Sequence, residues 1–452
     1  MRVDLSRPIK IEELASVFHT AKINDKDVVI TSVVTNSKLV TAGTLFIALT
    51  GKSFDGHDYI EEAIRNGAVA IFSQKNIKDF SKSITFFLVE DTVKALGELA
   101  VLYKSFFSVK TVAVTGSVGK TSTCHFISTL LGNRYKVHST KENYNNHIGV
   151  PLTMLGMPKD TEILVLEFGM NHTKEIAYLS HMASPDIAII TNVGHAHIGE
   201  LGSIDAIYRA KLEIVEGVKS GVLLLPDNMS YYPSVYGIKT VLCGETKDAA
   251  YRLARERSGV VLPNEEAVNL KEQNCSLPYL SASLFAVAVC HLLGFQAKEM
   301  EALLQFCTLP KCRLEEITVR EITIINDAYN ASPEAMREAL VYAAGLNAGR
   351  KIALLGDMLE LGEITQAAHF DIGKQLAALG FHKIFLAGDY VQWIKEGALH
   401  YGLDASCIEE GTVNDCTKAL IKYLKSGDTL LIKGSHQTEL WKVADQLKRE
   451  LQ

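Results

Sequence analysis

Apolar runs of four to six residues, each closing on a small polar residue, a proline or a glycine, recur along the chain and alternate with amphipathic stretches. In the middle they read TVAVT (111–115), ILVLEF (163–168), IAIITNV (187–193) and GVLLLP (221–226). Towards the end they read ITIINDAY (322–329), KIALLGD (351–357), KIFLAG (383–388) and DTLLIKG (428–434). Runs that stay apolar, instead of alternating with polar residues, predict strands covered on both faces, and hence parallel sheets with helices between the strands. The first stretch differs. VVITSVVTNSKLVTAGTLFIALTG (28–51) reads as short strands broken by turn residues, DGHDYIEEAIRNGA (55–68) as helix, and VAIFS (69–73) as a further strand. The expected fold is α/β in three domains: a small N-terminal α/β domain over 1–105, a central parallel-sheet domain over 106–308, and a C-terminal Rossmann-like domain over 309–452.

Composition narrows the class. With 452 residues, 47% apolar and 22% charged, the chain has material for several ordinary cores. A net charge of −6, with no basic cluster interleaved with aromatics, argues against a nucleic-acid partner. No run of about 18 apolar residues predicts a membrane span, and MRVDLSRPIKIEELA lacks a signal-peptide core. The eight cysteines (124, 243, 275, 290, 307, 312, 407 and 416) include no C-x-x-C pair, so they read as reduced thiols of a cytoplasmic protein.

The candidate chemistry starts at TVAVTGSVGKTST (111–123), a strand, a glycine turn and a helix start. Glycines let the backbone approach a phosphate, and open amides at a helix N-terminus attract anions. Thr115, Gly116, Ser117, Val118, Gly119, Lys120, Thr121 and Ser122 are the expected nucleotide loop, with Lys120 on phosphate oxygens and the Thr121 hydroxyl on Mg²⁺. The general phosphate-loop pattern wants glycine at Val114, so the narrower form T-G-S-V-G-K-T carries the match. The bland alternative is a strand–turn–helix corner with a surface lysine.

Other polar residues cluster at strand ends, where ligands of such sheets bind. Glu167 ends ILVLEF and suits Mg²⁺, or is a solvated strand-end carboxylate. His195 and His197 follow IAIITNV, a spacing that is weak evidence for a metal site. Lys211, in AIYRAKLEIVEG, lies on or beside an apolar helix face. If buried, its amine would be nucleophilic and open to carbamylation by CO₂; otherwise it snorkels to solvent. The amide-rich ENYNNHIGVPLT (142–153) reads as a substrate loop or a hydrogen-bonded turn. Asp327, Tyr329 and Asn330 stand after a strand, and Ser332-Pro333 opens a helix by ordinary capping.

Taken together, TNSKLVTAGTLFIALTGKSFDGHDYI, TGSVGKTST, NYNNHIGVPLT, LEFGM, TNVGHAH, RAKLEI, DAYNASPEAM, LLGDMLELGE and IKGS resemble the Mur ligase family over nearly the whole chain. YNASPEAM and GDMLELGE resemble its D-alanyl-D-alanine-adding branch. The resemblance implies a UDP-substrate-binding domain, an ATP-binding domain and a Rossmann-like ligase domain, and an ADP-forming carboxylate–amine ligation in peptidoglycan precursor synthesis. ATP and Mg²⁺ are the implied cofactors, and a UDP-muramoyl peptide and D-Ala-D-Ala the substrates, handled by a monomer. Lys120, Glu167, His197 and Lys211 are the implied catalytic residues, with Thr121, Glu167, His197 and carbamylated Lys211 around magnesium. Asn143, Asn145 and Asn146 would face the peptide substrate, and Ser37, Lys38, Asp55 and His57 the uridine diphosphate. Arg313, Asp327, Tyr329 and Asn330 would complete the nucleotide site. His195 is expected to be structural or to face substrate.

Several positions depart from the family pattern. The His-Asn-x-x-Asn that often precedes the helix at YLSASLFAVAVCHLLG is absent, which leaves the adenine contacts open. Ser37-Lys38 stands for Ser-Arg, Cys312-Arg313 for Gly-Arg, and His436 for the arginine of Lys-Gly-Ser-Arg. A sister ligase adding another amino acid, and a nucleotide-binding scaffold that has lost ligation, remain the alternative readings.

Overall fold

The computed structural model describes residues 1–18, 21–22, 27–51, 53–76, 84–229, 238–254, 258–270, 276–346 and 349–451. Cys275 and Lys52, both within expectations above, lie outside these residues. Among the described residues the chain builds three sheets.

The first sheet has six strands, in the order Arg2–Lys10, Val29–Val34, Thr44–Ile47, Ala68–Ser73, Thr85–Leu88 and Ala21–Lys22. The four central strands pair in parallel and the two outer ones antiparallel. The Arg2–Lys10 strand was hidden in the pattern because only Leu5 and Ile9 of its nine residues are buried, and its register shifts between Asp4 and Ile9.

The second sheet has nine strands. Seven run parallel, in the order Tyr251–Leu253, Lys239–Gly244, Val222–Pro226, Ile187–Ile190, Lys110–Thr115, Ile163–Glu167 and Val137–Ser139. Two more, Gly259–Val261 and Ala267–Asn269, join antiparallel at the Tyr251 edge. The purely parallel expectation is therefore corrected at 259–269. A tight turn with Glu265 at φ 66 folds that short segment back on its neighbour, so no crossover helix is needed.

Continuous apolar strands follow from two covering layers. Val112 and Val114 share a core with the helices Lys120–Leu131 and Leu277–Leu292. Ala113, between them, belongs to the opposite core with Thr92–Ser105, Gly149–Leu155 and Glu175–Ala183. Each fully buried Leu, Ile or Val contributes about 1.5–3 kcal/mol relative to exposure, so a polar residue in these strands is costly except at the ends. The helix Thr92–Ser105 also ties the first sheet to the second: the Tyr103 hydroxyl accepts from the Arg7 amide at 3.2 Å and lies 3.1 Å from Ser6 Oγ.

The third sheet runs Glu315–Val319, Ile322–Asn326, Thr429–Lys433, Lys351–Leu355, Lys383–Leu386 and Ile408–Glu410, parallel except for the first pair. Pro333–Gly345 and Thr365–Leu379 cover one face, and Val413–Tyr423 and Trp441–Glu450 the other. Loops at the carboxyl ends of strands from the second and third sheets meet at one cavity.

Candidate active site

After the strand Lys110–Thr115 the chain turns through residues that are pinned from outside. The Ser117 and Val118 amides donate to the Asn192 carbonyl (3.1 Å) and Oδ1 (2.8 Å), and the Thr191 hydroxyl donates to the Val118 carbonyl at 2.6 Å. Gly116 has φ 152, and a Cβ there would fall 1.9 Å from Thr191 Oγ1. Gly119 has φ 84 with open space around it and precedes the twelve-residue helix Lys120–Leu131, whose N-terminus receives no side-chain cap. A rigid loop thus opens onto uncapped amides and the positive end of a helix, an arrangement suited to phosphate.

Five side chains converge beside that loop. The Thr121 hydroxyl donates to Glu167 Oε2 at 2.7 Å, and Asn145 Nδ2 donates to Glu167 Oε1 at 2.8 Å. Arg313 Nη2, from the chain leading into the third sheet, donates to Thr121 Oγ1 at 2.7 Å while its guanidinium lies 4.2 Å over the Tyr329 ring. Lys120 folds its ammonium onto the Gly116 carbonyl at 2.8 Å. Burial lowers the Lys120 pKa; the Glu167 charge opposes this and the Arg313 charge adds to it. Glu167 itself is 3% exposed.

A cavity of about 310 Å³ opens here. One wall is residues 117–122 with Asn145, Asn146, Glu167 and His197; the other is Arg313, Asp327, Tyr329, Asn330, Glu338 and Lys433. Lys433 is fully committed, donating to Asp327 Oδ2 at 2.6 Å, Asn330 O at 3.0 Å and Asp327 O at 3.3 Å. Two histidine–carboxylate contacts close the same boundary. His195 Nδ1 meets Glu334, and the His195 amide donates to it at 3.1 Å. His197, at φ 67, brings Nδ1 to 2.8 Å from Glu360 Oε2, close enough for an ion pair but misaligned for a good hydrogen bond. Burial pushes the Glu334 carboxyl up, and His195 overrides it to leave the pKa lowered; His197 lowers that of Glu360.

Lys211 is 1% exposed, at the end of the helix Ile204–Leu212, so it does not snorkel. Burial, assisted by the Lys120 charge, pushes its pKa well below the usual lysine range, which favours the neutral amine. It does not line the cavity. Thr121 and Glu167 supply two hard oxygen donors and His197 stands in the same cavity, a donor set that fits magnesium with retained waters. Among the described residues no three His, Cys, Asp or Glu side chains converge as a ready metal cluster.

The other expected residues divide. Asn145 reaches Glu167, but Asn146 turns its Oδ1 back to the Ile148 (3.0 Å) and Gly149 (2.9 Å) amides. Asn143 is exposed and does not line the cavity; its carbonyl accepts from the Asn145 amide at 2.8 Å and sets the turn. Thr115 and Gly116 do not line the cavity either; the Thr115 hydroxyl donates to Phe168 O at 3.0 Å, so both residues frame the loop. Ser37, Lys38, Asp55 and His57 also lie outside it. The Ser37 hydroxyl donates to Glu62, and Lys38 is exposed. Asp55 accepts from His57 Nδ1 (2.6 Å) and Lys75 Nζ (2.7 Å), contacts that hold its carboxyl far below the usual range. Lys433 and Glu338 were not among the expected site residues. Lys433 was readable as the polar end of DTLLIKG; Glu338 carried no signal of its own.

Models of the Mur ligase family match three stretches: the catalytic domain over 29–104, the middle domain over 114–278 and the glutamate ligase domain over 312–436. The UDP-N-acetylmuramoyl-tripeptide–D-alanyl-D-alanine ligase of Bacillus subtilis is 35% identical over 93% of each chain. This chain belongs to the Mur ligase family. The equivalent Escherichia coli enzyme is 26% identical over 97% of this chain and 98% of its own. Among solved structures, MurF from Acinetobacter baumannii superposes with a TM-score of 0.85 at 26% identity, covering 99% of this chain and 100% of the other. MurF from Thermotoga maritima, solved with ADP, gives 0.82 at 29% identity over 93% and 97%. The Mur ligase fold thus accounts for all three sheets. Among the described residues no helix is long and apolar enough to cross a membrane.

Proposed function

We propose that this protein is an ATP-dependent, ADP-forming ligase that joins D-alanyl-D-alanine to a UDP-N-acetylmuramoyl tripeptide. The observation that carries the reading is the Arg313–Thr121 hydrogen bond, which brings the third sheet onto the phosphate loop and encloses one cavity between them. Bound there, Mg·ATP supplies the phosphoryl group that turns the tripeptide carboxylate into an acyl phosphate with a good leaving group. The chain's own residues orient and neutralise. The loop amides and Lys120 hold the phosphates, and Arg313 and Lys120 offset charge spreading over the transferred group. Thr121 and Glu167, with His197 in the same cavity, would hold Mg²⁺. Lys211, once carbamylated, would add an anionic group near Lys120. Asn145 keeps Glu167 oriented. Contact between the walls excludes water, which would otherwise hydrolyse the acyl phosphate. The dipeptide amine then forms the C–N bond and phosphate leaves.

Ser37, Lys38, Asp55 and His57 lie outside this cavity, and we assign them to the uridine diphosphate end of the substrate. We place the reaction in the cytoplasm, carried out by a monomer over residues 1–105, 106–308 and 309–452 as substrate, ATP and ligase domains. The test is mass spectrometry of the product after incubation with ATP, Mg²⁺, UDP-muramoyl tripeptide and D-Ala-D-Ala. A UDP-muramoyl pentapeptide is expected. A product formed only with a single amino acid would point to a sister ligase, and nucleotide binding without any product to a scaffold.

A further inference from the structure

Glu338 lies on the helix Pro333–Gly345, one turn after Glu334, and lines the ligation cavity. Unlike the other acids around it, it is uncommitted. Glu167 holds Thr121 and Asn145, Asp327 holds Lys433, and Glu334 holds His195. Glu338 makes no hydrogen bond or ion pair with any described residue. Lys433, the nearest cation to act on it, has all three ammonium protons engaged elsewhere.

The ligation reading, on which this inference rests, leaves one proton without a destination. An α-amine has a pKa near 8, so the dipeptide arrives mainly as an ammonium without the lone pair needed for attack. We propose that Glu338 is the carboxylate that meets this ammonium and takes its proton. The N–H bond breaks to the carboxylate, leaving neutral amine and Glu338 as the acid. The amine lone pair then forms the C–N bond at the acyl phosphate. The tetrahedral intermediate collapses with loss of phosphate, which carries away the second nitrogen proton.

The surroundings suit that exchange. Burial raises the Glu338 carboxyl from 4.5 to about 7; Lys433 opposes this, and Asp327 and Glu334 reinforce it. A base is most effective with its pKa near the working pH. The remaining titratable groups that line the cavity with it are Lys120, Glu167, Glu175, Arg313 and Tyr329, with His147 and His197. Lys120 and Arg313 are drawn towards Gly116 and Thr121, so neither supplies Glu338 with a partner.

Glu338→Gln keeps the shape and removes the base. We expect a loss of about 10²-fold in kcat with D-Ala-D-Ala, and loss of the acidic limb of the kcat–pH profile. Hydroxylamine, neutral at pH 7, needs no base, so it should trap the acyl phosphate as hydroxamate at a similar rate in both proteins. Glu338→Asp should recover part of the dipeptide rate. A dipeptide kcat within twofold of the parent, or a rise in KM alone, overturns the proposal. So does an equal loss in the hydroxylamine reaction, since that marks damage to the first step. If the parent itself forms no hydroxamate, the ligase reading fails instead, and this result is separate from the others.

Discussion

Glu167→Gln isolates the carboxylate proposed to hold Mg²⁺. The Glu167 carboxylate accepts two side-chain hydrogen bonds, from Thr121 and Asn145. Charge-assisted bonds of this kind are worth about 1.5–3 kcal/mol and neutral ones about 0.5–1.5 kcal/mol, so the amide forfeits about 2 kcal/mol across the pair. Relief from burying a charge offsets part of this, and the fold should persist. Ligand binding changes far more. Two unit charges about 4 Å apart interact by about 4 kcal/mol at an effective dielectric of about 20. Counting Mg²⁺ as one net charge, because the ATP phosphates neutralise part of it, and discounting half for retained waters leaves about 2 kcal/mol, or roughly 30-fold in the affinity for Mg·ATP. Metal-free ATP should bind the variant as well as the parent, or better, because a negative charge has left the phosphate site. Calorimetric titration with ATP, with and without Mg²⁺, measures both quantities. A variant that keeps the parent's full magnesium enhancement would refute the assignment of Glu167 to the metal.

Three other substitutions probe separate parts of the site. Lys120→Ala should lower turnover by about 10²-fold or more, the scale of losing one transition-state donor, read from steady-state phosphate release. Lys211→Ala should be poorly active and partly rescued by acetate or formate, and CO₂-free buffer should slow the parent; full activity of the variant would remove Lys211 from the site. Glu338→Gln should also change stability with pH. The folded carboxyl, raised to about 7, keeps its proton where the unfolded one, near 4.5, has lost it. Parent and variant should therefore differ little below pH 4.5. The parent should lose ground between about 4.5 and 7, then stay lower by at most about 3 kcal/mol, seen as a gap between urea midpoints at pH 5 and pH 8.

Much of this architecture is written locally. Val112 and Val114 face one layer and Ala113 the other, so apolar continuity alone marks the run as a two-sided strand. The strand-end polar residues Lys120 and Glu167 follow from the same logic, since a sheet buried on both faces leaves only its ends for chemistry. What stayed hidden depends on contacts distant in sequence. Arg313 bonds Thr121 across 192 positions, and nothing near either residue encodes the other. Asn143 and Asn145 are equivalent by composition; the turn that places one on Glu167 and the other in solvent is set by backbone contacts. The Arg2–Lys10 strand escaped because an outer strand needs few apolar residues. Glu338 escaped because a glutamate in a helix is ordinary until the opposite wall of the cavity is known.

The central claim is that the loop from Thr115 to Thr121 and the walls closed by Arg313 form a single ligation chamber. Phosphate release from Mg·ATP by the purified protein, with each substrate omitted in turn, tests it most directly. Release that requires both the UDP-muramoyl tripeptide and D-Ala-D-Ala, one phosphate per peptide bond formed, is the predicted result. Release that is indifferent to both substrates, or none with all components present and ATP bound, would contradict it.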